Sequence, residues 1–308
     1  MVDARSSHTG PVDAPTSSST GAEPPTVSVV IPCLNVAGTI AAQLDGLEAQ
    51  DYSGTIEVLL ADNGSTDATA QVVAPFLARH PTWRIVDASA TRGANAARNA
   101  GWRAGSGTVV LFCDGDDIVK PGWVAAMVGA FDDGADIVGG SFDVSSLNPP
   151  EVAATRGKPE GLPVYFGYLP SVIGANFAVR RRVLEALDGF DESFVLGGDE
   201  IEFAWRAQLA GHTIAHAPDA EVAYRYRAST KAFLKQRWNY SGGAVKLYIT
   251  FRDKGMRRPK LTHTIRLAGR SAKTAAFGPS DARLKATGEL VSLAGHLRTS
   301  MRLRTFFF

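Results

Sequence analysis

Between Val27 and Ser141, short β-branched runs alternate with helix-patterned segments, and this alternation confines the chain to very few architectures. Val27-Ser28-Val29-Val30-Ile31 is an apolar run stopped by Pro32, as expected of a buried strand end. Thr39 to Gln50 then carries Ile40, Leu44 and Leu47 at helical spacing. Ile56 to Ala61 reads as a second strand, ended by the turn and cap cluster Asp62-Asn63-Gly64-Ser65. Ala68 to Arg79 reads as helix, Trp83 to Ala88 as strand, Ala94 to Ala104 as helix, and Thr108 to Cys113 as an apolar central strand. Pro121 is placed to open the next helix, and Ala135 to Ser141 supplies a fifth strand. Such a series predicts an α/β fold, a parallel sheet with helices on both faces.

Beyond Ser141 the pattern loosens. Residues 144–172 hold several prolines and glycines and read as a long loop near a site or partner. A strand around Asn176 to Val179 follows, then helices over Arg181–Leu187 and Asp199–Ala210. A strand pair near Thr213–His216 and Glu221–Tyr226 comes next, and a mostly helical remainder runs from Thr230.

Composition excludes several classes. Two cysteines, Cys33 and Cys113, rule out a disulfide scaffold or a cysteine-rich zinc module; ending apolar strands, both read as packing residues. No apolar run reaches the roughly 18–20 residues of a membrane-spanning helix. Residues 1–26 are rich in Ser, Thr, Pro, Gly and Ala; they read as a disordered leader without the apolar core of a secretory signal, and a reducing cytoplasm is the expected compartment. The net charge of +1 conceals an asymmetry: residues 251–308 hold 13 Lys/Arg and 3 Asp/Glu, whereas the first 250 carry a net −9. That separation fits an acidic body able to house a cation and a basic tail facing something anionic.

In parallel open sheets, ligands bind beyond the carboxyl ends of the strands. Three predicted strands deliver polar groups there: Pro32-Cys33-Leu34-Asn35, Asp62 to Asp67, and Asp114-Gly115-Asp116-Asp117. Three carboxylates within four residues repel one another unless a cation or several donors neutralise them, and hard oxygen ligands suit Mg²⁺ or Mn²⁺ bound with substrate phosphates. The same cluster would also serve as a solvated, helix-capping turn. Arg92 to Asn99 opens a helix with two arginines, a natural diphosphate site, although Arg98 alone reads as a solvated helix charge. No spaced triple glycine follows the first strand, which argues against a nicotinamide or flavin domain. Gly198-Asp199-Glu200 starts a helix; Asp199 can simply cap it, or a carboxylate here can act as general base toward a hydroxyl. His212 and His216 read as surface or core residues.

In chain order, Val27–Asn35, Asp62–Asp67, Arg92–Gly101, Asp114–Asp117, Gly174-Ala175-Asn176, Gly189-Phe190-Asp191-Glu192 and Gly198-Asp199-Glu200 resemble the family 2 glycosyltransferases of the GT-A fold, over residues 27–228. The resemblance implies a Rossmann-like, mostly parallel sheet flanked by helices, and inverting transfer of a sugar from a nucleoside-diphosphate donor to a hydroxyl of a glycan, lipid-linked or other acceptor. By motif position, Pro32, Asn35, Asp62 and Ser65 would serve the nucleoside side of the donor. Arg92 and Arg98 would lie near the donor, Asp114 toward the ribose, and Asn176 on the acceptor side. Asp116 would hold the Mn²⁺ or Mg²⁺ that bridges the diphosphate. The family usually writes its base motif Glu-Asp; here the order is Asp199-Glu200, so Glu200 takes the catalytic place by register and Asp199 stays a candidate. Tyr224 stands near where many relatives have a histidine, which implies fewer protein ligands for the metal.

Two other functions compete. A sugar-1-phosphate nucleotidyltransferase would need a basic, glycine-rich loop after the first strand, and Cys33 to Gly38 has no Lys or Arg. A non-catalytic sugar-nucleotide sensor would use the same pocket without turnover. In the tail, Leu290, Leu293, Leu297 and Met301 recur at helical spacing beside Arg298, Arg302 and Arg304, before Phe306-Phe307-Phe308. This stripe either lies on an anionic membrane or docks on the catalytic body. Nucleic acid is not expected, because no recognisable binding module accompanies the charge. Gln236-Arg237-Trp238 approaches the Gln-x-x-Arg-Trp element of processive synthases with the wrong spacing, so Trp238 reads as helix packing and single addition is expected.

Overall fold

The computed structural model describes residues 24–308 except Leu196 and Ala228, so the leader expected over 1–26 lies almost wholly outside the described residues. Among these residues, β1 (Val27–Cys33), β2 (Ile56–Asp62), β3 (Trp83–Asp87) and β4 (Val109–Cys113) are parallel neighbours in the order β3-β2-β1-β4. Helices α1 (Ile40–Glu48), α2 (Thr69–Arg79) and α3 (Ala94–Ala104) connect them, as the alternation requires. Side-chain alternation divides the core in two. Val29, Ile31, Val58, Leu60 and Leu111 pack with α1 and α2, whereas Val30, Leu59, Val110 and Phe112 face Trp102 of α3.

The sheet continues with β7 (Asn176–Arg180), β6 (Ile137–Asp143), β8 (Ile214–Ala223) and the short β5 (Ile118–Val119). Here the sheet turns mixed: β7 is antiparallel to both β4 and β6, while β6 and β8 run parallel. Three local expectations change. Lys120-Pro121-Gly122 forms a turn, with Gly122 at φ +77°, so α4 (Trp123–Gly129) starts two residues after the proline. The expected strand pair at 213–226 is one strand, β8, because Ala217 pairs with Gly140 and Glu221 with Ser141, leaving 218–220 as a bulge. Pro218 has no N–H to give the ladder there. The region 144–172 is not all loop, for it contains α5 (Pro150–Arg156).

Helices α6 (Arg181–Ala186) and α7 (Asp199–Leu209) cover the α3 side of the sheet through Leu184, Phe203 and Ala207. The remainder forms α8 (Thr230–Phe251), α9 (Leu261–Phe277) and α10 (Ser280–Arg302). Val245, Leu247 and Phe251 of α8 pack on Ile201 and Trp205 of α7 in a third core, which Phe307 completes. No described helix is long and apolar enough to cross a membrane.

Candidate active site

The carboxyl ends of β1, β2 and β4 share one rim. After β1 the chain turns at Asn35, a non-glycine residue at φ +55°. Its side-chain carbonyl accepts the N–H groups of Thr66 (2.8 Å) and Asp67 (3.2 Å), and its own N–H donates to Ser65 Oγ (3.0 Å). Asp62 Oδ1 accepts the Ser65 N–H at 2.9 Å. Asn35, Asp62 and Ser65 thus meet, with Pro32 half-buried at the end of β1. Asn63, in the turn that follows β2, is a buried staple: its amide donates to the carbonyls of Ala88 and Thr91 and accepts the Gly93 N–H. It thereby fixes the loop that presents exposed Arg92 ahead of α3.

Arg98 is not a solvated charge. It is 4% exposed, and its Nη1 meets Asp199 Oδ2 at 2.5 Å, while Nη2 reaches the Gly174 carbonyl. A Cβ on Gly174 would fall 2.6 Å from Arg98 Nη2 and 3.7 Å from the Glu200 carboxyl carbon, so both side chains close on that glycine. Glu200 is therefore beside the Arg98–Asp199 pair in the first turn of α7. Burial first, then the Asp199 charge and a hydrogen bond to Asp199, hold the Glu200 carboxyl well above its ordinary range.

Opposite, Asp114, Asp116 and Asp117 bring one carboxylate oxygen each to within 4.8 Å of one another. Burial pushes Asp114 up to about 6, against the pull of Arg98. Asp117 rises to about 9, through burial and then the Asp114 charge. Asp117 Oδ1 accepts the Arg225 N–H at 2.7 Å, but the buried Oδ2 has no hydrogen-bond partner among the described residues. Asp116 Oδ2 pairs with exposed Arg227 at 3.0 Å. An orphaned carboxylate oxygen beside two further carboxylates, all hard donors, fits a divalent cation. The loop itself is held by buried Gln43 of α1, which donates to the Asp114 carbonyl and accepts the Val119 N–H. The Tyr224 hydroxyl lies in the field of all three aspartates, and burial holds its pKa well above the usual phenol value.

Asn176 is placed differently from its neighbours. It is 1% exposed, and its amide donates to Ser141 and Ala220 carbonyls and accepts the Trp123 indole N–H. This ties β7 to β6, the β8 bulge and α4.

Several residues at the site were invisible in the sequence. Tyr165 and Tyr240 feel the Glu200 carboxylate, and burial raises both phenols. Tyr240 belongs to α8, whose Gly243 touches the Gly197–Gly198 turn before α7: a Cβ on Gly243 would lie 2.0 Å from the Gly197 carbonyl oxygen. The only sequence signal was the Gly242-Gly243 pair inside a long helix. Arg225 and Arg227 had no signal. Asp117 was visible only as part of its cluster.

Comparison with known proteins gives the family and the fold. The pattern described as "Glycosyl transferase family 2" matches residues 28–188, and "Glycosyl transferase family group 2" matches 162–301. Glycosyltransferase AglE of Haloferax volcanii is 28% identical over 229 residues, covering 73% of this chain and 75% of AglE. The pre-mycofactocin glycosyltransferase of Mycobacterium tuberculosis is 25% identical over 237 residues; the alignment covers 74% of this chain but only 48% of that protein. Among solved structures, the mannosyltransferase PcManGT of Pyrobaculum calidifontis, in complex with GDP-Man and Mn²⁺, superimposes with a TM-score of 0.65 at 20% identity, covering 91% of this chain and 89% of that one. TarS 1–349 of S. aureus gives a TM-score of 0.53 at 18% identity, over 92% and 93%. At these identities the structures establish a common fold.

Proposed function

Because this chain belongs to glycosyl transferase family 2 and is a glycosyltransferase, we propose that it moves a sugar from a nucleoside-diphosphate donor to an acceptor hydroxyl with inversion at the anomeric carbon. One observation carries this reading: the acidic cluster after β4 faces a carboxylate pair at the start of α7, with Arg98 buried between them.

The donor lies on the rim. Pro32, Asn35, Asp62 and Ser65 bound its nucleoside side, and Asp114 faces the ribose. Arg92 lends positive charge to the flank, whereas Arg98 lies near the donor with its own charge matched by Asp199. Asp116 would hold Mn²⁺ or Mg²⁺, with Asp114 and Asp117 contributing. When bound, the cation neutralises charge on the departing diphosphate. Glu200 is the base: Arg98 already engages the Asp199 charge, and burial beside that charge strengthens the Glu200 carboxylate as a proton acceptor. It takes the acceptor proton as the hydroxyl oxygen attacks the anomeric carbon and the bond to the diphosphate breaks. Asn176 braces the acceptor side from within the sheet. The acceptor is a glycan or a lipid-linked sugar, and the reaction belongs in the cytoplasm.

The test is nucleoside diphosphate release from a panel of UDP-, GDP- and dTDP-sugars with Mn²⁺. Release from one donor, lost on chelation and in Asp116→Ala, is expected, with a further loss in Glu200→Gln. Metal-dependent binding without turnover, even when candidate acceptors are supplied, would favour a sensor. No binding to any donor would overturn the reading.

A further inference from the structure

The basic C-terminal helices end in a surface that the transfer reaction does not use. Helices α9 and α10 pack antiparallel, levelled by a hydrogen bond from the Ser271 hydroxyl to Glu289. Ten residues, about 15 Å of helix, separate Ser271 from Leu261 and Glu289 from Thr299, so the start of α9 and the end of α10 share one end of the hairpin. That end is apolar and exposed: Leu261 and Ile265 point outward from α9, and Met301 and Phe306 are 66% and 56% exposed.

The tail does not hang free. Past α10, Arg304 adopts φ +48° and turns the chain back, so that Phe307 is fully buried against Phe166, Tyr248 and His296. Anchoring Phe307 turns Phe306 outward, where the Arg258 guanidinium lies 4.7 Å from its ring. Leu261, Phe306 and Phe308 line a cavity of about 360 Å³ with Arg258 and Lys260. The structure therefore divides the expected stripe: Leu290 and Leu293 are half-buried, whereas Leu297 and Met301 stay outside.

Charge identifies the occupant. Residues 254–280 and 290–308 hold seven and three Lys or Arg respectively, and no Asp or Glu. Around the apolar end, Lys260, Arg302 and Arg304 are exposed, with Arg266 one turn along α9. Apolar side chains ringed by cations, without acidic residues, complement a bilayer interface whose headgroups are anionic. Nucleic acid phosphates would leave the apolar centre unmatched. We propose that this end of the α9–α10 hairpin, with Phe306, seats the protein on an anionic phospholipid surface. The inference goes beyond the transferase reading and does not depend on it. It also has a geometric consequence: Tyr248, against the anchor Phe307, is eight residues, about 12 Å along α8, from Tyr240 at the catalytic carboxylates. A seated protein would hold its site near the membrane plane.

Flotation of the full chain with vesicles tests this. Binding is expected to vesicles of phosphatidylglycerol in phosphatidylcholine at low salt, not to phosphatidylcholine alone, and to weaken strongly in 0.5 M salt. Arg302→Glu with Arg304→Glu should weaken it about 25-fold or more, at roughly fivefold per lost charge. Arg258→Glu with Lys260→Glu, on the preceding loop, should act likewise should the α10 variant fail to fold. Ile265→Ser and Phe306→Ser should each cost about tenfold. All variants should keep the thermal midpoint and donor turnover of the parent. Absence of flotation with anionic vesicles at low salt would overturn the proposal. So would serine variants that bind like the parent, or retention on duplex DNA without vesicle binding.

Discussion

Replacing Gly243 by alanine tests whether α8 positions the catalytic carboxylates. The added methyl would sit 2.0 Å from the Gly197 carbonyl oxygen and 2.5 Å from its carbon, where ordinary contact begins near 3.4 Å. Both atoms are backbone, so no side chain can swing away; the helix and the turn must separate by about 1.4 Å. Gly197 and Gly198 directly precede Asp199 and Glu200, both at positive φ, so the displacement reaches the first turn of α7. Misplacement of about 1 Å costs on the order of 100-fold in rate, and overpacking costs about 1–3 kcal/mol. We expect kcat to fall about 100-fold with little change in nucleotide affinity, whose groups lie on the β1, β2 and β4 rim. The thermal midpoint should fall by about 2–12 °C, at roughly 2–4 °C per kcal/mol. Gly269→Ala on α9, where nothing lies within 4 Å, is the control and should gain about 0.5–1 kcal/mol from helix propensity. Steady-state kinetics and calorimetry on both variants decide the matter. A Gly243→Ala enzyme with kcat within twofold of the parent would refute the coupling of α8 to the site.

Arg98→Met should destabilise the protein by about 3–5 kcal/mol in thermal or urea unfolding, because it strands the Asp199 charge; adding Asp199→Asn should recover at least half. A loss below 1 kcal/mol would mean the pair is solvated. In cation-free protein, Asp117 contributes stability fully below the ordinary carboxylate range and loses it progressively up to about pH 9, since its folded pKa is raised. Mn²⁺ should therefore raise the thermal midpoint more at pH 8 than at pH 5, and Asp117→Asn should reduce that gain; equal shifts at both pH values would count against the cluster as its site. With Glu200 as base, turnover should rise with pH along a limb above the usual carboxylate range, and Glu200→Gln should remove the limb and about 10²–10⁴ of the rate. A limb near the ordinary glutamate pKa would point to a different base.

Much of the fold could be read from the chain because it rests on local patterns. Residues 27–113 alternate strand and helix with apolar periods that leave no other packing, and the rim clusters follow because polar residues collect where apolar strands end. The mixed half of the sheet was harder. Whether β7 runs antiparallel between β4 and β6 depends on how the segment between β6 and β7 returns, which periodicity does not encode. The β8 bulge likewise hides in a segment whose two ends both look like strands.

An α/β sheet, an acidic cluster after its central strand and a helix opening on Asp199-Glu200 are all legible in the chain. Each follows from residues within a turn or two of one another. What those groups meet depends on how distant segments pack together. Arg98 and Asp199 stand 101 positions apart, and nothing local distinguishes a buried arginine from a solvated one. The same holds for Gly243 against Gly197, and for Phe307 drawn inward while Phe306 stays out. These contacts join segments distant along the chain, where burial and close approach, rather than local propensity, set each side chain's charge, exposure and role.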